Sequence, residues 1–134
     1  MNYYVISDTH FYHDKLVEKQ VRPNNFENKL IVSLRAMTNN DVLIHLGDIA
    51  IGGEVVVHDS IIFPLKCRKF LVRGNHDKRS PVWYLSHGWD FVCDMFTLDY
   101  FGKQIVFSHC PIQIKDGQIN VHGHVHSKER LLEY

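Results

Sequence analysis

KFLVRGNHD, residues 69–77, sets an apolar run of strand length against a turn made of amide, imidazole and carboxylate. Phe70, Leu71 and Val72 have the aromatic and branched character of an interior strand. An Asn or Asp after a strand is ordinary turn chemistry, but the pattern recurs along the chain. YYVIS, residues 3–7, runs into Asp8 and His10; DVLIHL, residues 41–46, into Asp48; KQIVFS, residues 103–108, into His109; QINVHG, residues 118–123, into His124 and His126. In an α/β chain the carboxyl ends of parallel strands gather at one edge, where ligands bind. Five strand ends therefore deliver carboxylates, an amide and imidazoles to one place.

The segments between these runs fit that plan. In NNFENKLIVSLRAMTNN, residues 24–40, Phe26, Leu30, Ile31, Leu34 and Met37 fall on one helical stripe, with Asn24 and Glu27 as a capping box. Flanked by two strands, this helix predicts a β-α-β unit. A second helix is expected over residues 54–64, ended by Pro64, and a third over 81–87, opened by Pro81 and closed by Gly88. A turn at Gly102-Lys103 in DYFGKQIVF predicts an antiparallel last third. Strands alternating with helices, then hairpins, predict an α/β sandwich of sheets flanked by helices. With no linker, repeat or low-complexity stretch, residues 1–134 are expected to form one domain.

Composition narrows the function classes. Fifteen Lys and Arg balance fifteen Asp and Glu, so no broad field draws nucleic acid or an anionic membrane. Cys67, Cys93 and Cys110 lie far apart, form no C-x-x-C pair and leave one over, which argues for a reducing, cytoplasmic setting rather than a disulfide framework. MNYYVISDTH has no basic n-region, and no apolar run approaches the roughly 20 residues of a membrane span. Of ten histidines, five are clustered in THFYH and HGHVH.

In order, DTH, GD, GNHD, SHCP and GHVH resemble the five motifs of the calcineurin-like metallophosphoesterases, over residues 8–126. ISDTHFYH and the Arg22-Pro23 pair are similar to a small bacterial and phage-type branch of that family. The resemblance implies a four-layer α-β-β-α sandwich with two mixed β-sheets. It also implies two divalent metal ions, bridged by Asp48, with Asp8, His10 and His126 on the first and Asn75, His109 and His124 on the second. Imidazole, carboxylate and amide ligands suit Mn²⁺, the ion expected here, or Fe, Zn²⁺ or Ni²⁺. His76 would face the phosphoryl group, with Asp77 orienting its ring.

The implied activity is hydrolysis of small phosphate esters by a metal-bridging hydroxide, as a phosphodiesterase on nucleotide-like substrates. Alternatives are a phosphomonoesterase or a non-catalytic metal-binding scaffold of the same fold. The even charge and the absence of basic-aromatic interleaving weigh against a nucleic-acid enzyme. Either a monomer or a homodimer is compatible.

His13 either lines the substrate pocket or lies on the surface, and Arg22 is the arginine expected to meet phosphate. Arg73 reads as an internal salt-bridge partner. His45 and His122 read as core histidines or supports of the ligands; His58 and His87 read as structural, and Cys110 as packing.

Overall fold

The computed structural model describes residues 1–125. Strands β1 (Asn2–Ile6), β2 (Asp41–His45), β3 (Arg68–Val72) and β4 (Phe91–Cys93) form one sheet in that order, every pair parallel. Strands β5 (Met95–Tyr100), β6 (Lys103–Ser108) and β7 (Gln118–His122) form a second sheet. The crossovers of the first sheet carry the helices: α1 (Asp14–Glu18), α2 (Phe26–Arg35), α3 (Glu54–Val57), which continues as a π-helical turn (His58–Ile62), and α4 (Pro81–Ser86). No helix among the described residues is long and apolar enough to cross a membrane.

β2 is buried along its whole length, and the period of two sends alternate residues to opposite faces. Leu43 joins Leu34, Val57, Ile62, Leu71, Tyr84 and Trp89 under the helices. Val42 and Ile44 join Val72 and Phe107 between the two sheets, with Phe70 and Phe96 packed against them. Each such aliphatic side chain contributes about 1.5–3 kcal/mol by leaving water. Both cores end at the carboxyl edge of the first sheet, which fixes the platform of the loops beyond.

Several expectations need correction. The first sheet is wholly parallel, so only the second is mixed: β5 and β6 are antiparallel while β6 and β7 are parallel. The chain returns from β6 through residues 109–117 before entering β7, which reverses what a hairpin would give. Among the described residues a hairpin and that loop link the strands of the second sheet, and every described helix lies in a crossover of the first. The β5–β6 turn lies at Phe101 and Gly102, with φ of 48° and 72°, the left-handed pair that a type I′ turn requires.

The capping box on α2 does not form. Asn25 is the N-cap and makes no side-chain bond, while Glu27 Oε1 accepts the Tyr12 N–H at 2.7 Å. On α4, Ser80 accepts the Trp83 N–H at 3.2 Å, with Pro81 next to it. β4, at three residues, is too short for its sequence to show a period.

Candidate metal centre

Beyond the sheet edge, the loops after β1 and β2 continue pairing. The Asp8 N–H donates to the Gly47 carbonyl at 2.9 Å, His10 N–H to Asp48 at 3.1 Å and Phe11 N–H to Ile49 at 2.9 Å. The cost of this course is visible in the backbone. Asp8, His10, Asp48 and His124 sit at φ of 53°, 47°, 56° and 66°, and the left-handed region costs a non-glycine residue on the order of 1–2 kcal/mol. Such outliers persist where surrounding bonds over-determine them, and they concentrate at functional sites.

Asp77 supplies part of that determination. Its buried carboxylate accepts the N–H of Asp48 at 2.7 Å, of Ile49 at 3.1 Å and of Gly74 at 2.7 Å. This corrects its expected role: its oxygens hold the backbone of two loops together, and no hydrogen bond joins them to the His76 ring. Gly74 is needed here for want of space rather than for its backbone freedom. Its φ is not positive; a Cβ there would collide with Asp48 Oδ1 and the Asp48 amide.

Within this frame Asp48 is the hub. Its Oδ1 accepts the His76 N–H at 2.9 Å. Its Oδ2 lies 3.5 Å from His109 Nε2, 3.8 Å from His10 Nε2 and 3.9 Å from His76 Nε2. Asp8 Oδ1 stands 3.5 Å from His10 Nε2, while its Oδ2 accepts from the Ser7 hydroxyl and from the His124 N–H at 2.9 Å. His109 Nδ1 donates to the Leu46 carbonyl at 2.6 Å, which turns Nε2 toward Asn75 Oδ1 at 2.9 Å and His124 Nδ1 at 3.1 Å.

The electrostatics follow from this crowding. Burial works to raise Asp8 and Asp48, yet both are held below the usual carboxylate range, Asp8 chiefly by His10, Ser7 and the His124 amide, Asp48 by His109 and the His76 amide. Burial works to lower His109, yet Asp48 and the Leu46 carbonyl raise it. For Asp77 burial prevails over three amide donors and raises it. Donor atoms of Asp8, Asp48 and His109 all lie within 4.8 Å of one another, and those three residues are buried. Carboxylate, imidazole and amide donor atoms converge here at distances that one bound cation could satisfy together. The donor set therefore fits divalent metal.

Six of the seven expected ligands, Asp8, His10, Asp48, Asn75, His109 and His124, are thus brought together; His126 lies outside the described residues. The His76 side chain is about half exposed at the mouth, its ring 5.8 Å from that of His10. His13 lies against His10, ring centres 5.4 Å apart. Arg22 departs from expectation: its Nη2 donates to the Asp8 carbonyl at 2.5 Å and its guanidinium lies over Phe26, so it braces the ligand loop. Arg73 pairs with Asp94, Nε to Oδ1 at 2.8 Å. Cys110 is exposed rather than packed, with its sulfur near the donor atoms of His109 and His124. Beside the cluster a cleft of about 520 Å³ is lined by Asn75, Lys78, Met95, His109, Cys110 and Ile112, among others.

A family model described as calcineurin-like phosphoesterase matches residues 1–133. Among solved structures, the chain is similar to "The Crystal Structure of the Protein of Unknown Function AQ665 from Aquifex aeolicus", at 34% identity and a TM-score of 0.70, over 83% of this chain. The match spans 62% of that solved chain. No curated protein matches.

Proposed function

The chain belongs to the calcineurin-like phosphoesterase family, and from that premise we propose that it hydrolyses phosphate esters at the cluster around Asp48, with a pair of divalent ions. Asp8 and His10 would hold the first ion, Asn75, His109 and His124 the second, and Asp48 would serve both. The family pattern adds His126 to the first. When bound, such a pair supplies Lewis acidity toward the phosphoryl oxygens and a nucleophile drawn from water at neutral pH.

The observation that carries this reading is the position of Asp48 Oδ2, between His10 Nε2 at 3.8 Å and His109 Nε2 at 3.5 Å. Oδ1 is occupied by the His76 amide, so Oδ2 is the oxygen offered to the cluster. The Leu46 carbonyl fixes the proton of His109 on Nδ1 and leaves Nε2 as its ligand atom.

His76, half exposed beside these groups, faces the incoming phosphoryl group, where an imidazolium stabilises developing charge or protonates the leaving oxygen. The cleft supports a diester of nucleotide type: Met95 and Ile112 give an apolar wall for a flat group, and Lys78 gives a cation for a further anionic one. Mn²⁺ is the ion proposed.

Turnover of bis-p-nitrophenyl phosphate and p-nitrophenyl phosphate with added Mn²⁺ tests the proposal. Faster hydrolysis of the diester is expected, and faster hydrolysis of the monoester would reassign the chain as a phosphomonoesterase. Folded protein that holds two ions and turns over neither ester would be the scaffold.

A further inference from the structure

Asp8, His10 and Asp48 keep left-handed backbones on two adjoining loops, and between those loops lies His45, at the end of β2 and 1% exposed. Its Nδ1 accepts the Gly47 N–H at 3.0 Å. A backbone amide can only donate, so in the neutral ring the proton is on Nε2. Nε2 lies 2.9 Å from Thr9 Oγ1, and the Thr9 hydroxyl donates onward to the Ile49 carbonyl at 2.9 Å. The hydroxyl oxygen is therefore left to accept from the imidazole, and every proton in the chain is assigned. Burial keeps the ring neutral, its pKa pushed down to about 3. Trp89 meets it edge-on, ring centres 6.0 Å apart.

We propose that His45 is a positioning residue of the metal centre, whose Nε2–H imidazole ties Thr9, between Asp8 and His10, to Gly47, next to Asp48, and so fixes the spacing of three ligand positions. Histidine suits the task because a neutral imidazole carries an acceptor and a donor on separate sides of one rigid ring. Partners behind metal ligands set ligand orientation, and their loss typically weakens metal binding about 10–100-fold. The inference rests on the metal-site reading above.

Calorimetric titration of metal-stripped protein with Mn²⁺ tests it. Thr9→Val, which deletes the hydroxyl, and His45→Phe, which keeps a ring against Trp89, should each keep a native circular dichroism spectrum and weaken binding about 10–100-fold. Thr9→Ser should retain parental affinity. The double variant should bind no more weakly than the weaker single variant, since both cut one connection. Parental affinity in both single variants, or losses that multiply in the double, would overturn the role of His45. Nitrogen and carbon chemical shifts should independently show the His45 Nε2–H tautomer from pH 5 to 8; the Nδ1–H form or an imidazolium would overturn the assignment. If His45→Phe does not fold, Thr9→Val and the tautomer carry the test. A parent that binds no Mn²⁺ would instead overturn the metal-site reading itself.

Discussion

Asp48 spends its oxygens on different tasks, and that division predicts how its neighbours respond to substitution. Oδ1 holds the His76 amide and Oδ2 faces three imidazoles, so Asp48→Ala should empty at least one metal site in equilibrium dialysis. His76→Ala keeps its backbone N–H, and with it the bond to Asp48. That variant should retain both ions and lose turnover by about 10²–10⁴-fold, the usual effect of removing one positioned acid or charge stabiliser. Equal metal loss in the two variants would contradict the division. A pH effect belongs to this scale too. The His45 pKa falls to about 3 through burial, so between that value and its unfolded value near 6.5 the unfolded chain binds a proton the fold refuses. Stability of metal-free protein should thus fall as pH drops through that window, by at most about 1.4 kcal/mol per pH unit for this residue. His58, also lowered by burial, adds in the same sense, while His109, raised, acts above that window, its contribution being complete below its unfolded value. Urea melts should therefore show a steeper loss below pH 6.5 for the parent than for His45→Phe; parallel curves would contradict the buried neutral ring.

Loops carry the site, and their strapping explains what could be read from residue order. Asp8, His10, Asp48, Asn75, His109 and His124 were legible because each follows an apolar run and each side chain has a ligand's chemistry. Asp77 was legible as a site residue and not in its role, since its partners are amides of Gly74, Asp48 and Ile49, and a backbone N–H has no letter of its own. Arg22 misled for the same reason: its acceptor is the Asp8 carbonyl. His45 stayed open between core and support until Thr9 and Gly47 were seen on either side of its ring. Asp77→Ala would leave three amide donors without their acceptor, at about 1–3 kcal/mol for each that stays buried. Urea denaturation should show a loss of several kcal/mol, beyond an ordinary loop substitution; a loss under about 1 kcal/mol would mean that the strap is idle. Gly74→Ala presses a methyl group onto Asp48 and should weaken Mn²⁺ binding more than it lowers thermal stability. Unchanged Mn²⁺ affinity would show that the loop can yield.

At the scale of the molecule, alternation of apolar runs with helical stripes gave the α/β class, and the strand ends gave the edge where ligand groups meet. The parallel pairing of β6 with β7 and the three-residue β4 were hidden, because strand direction depends on where a connecting loop returns and a short strand has no period. Two cores, one under the helices and one between the sheets, hold the carboxyl edge rigid enough for loops with left-handed residues to be sustained. The central claim is that these loops surround two ions with Asp48 between them. Anomalous diffraction from crystals soaked in Mn²⁺ tests it most directly: two peaks about 3.5–4 Å apart, both beside the Asp48 carboxylate, are predicted, and a single peak, or peaks remote from Asp48, would contradict it.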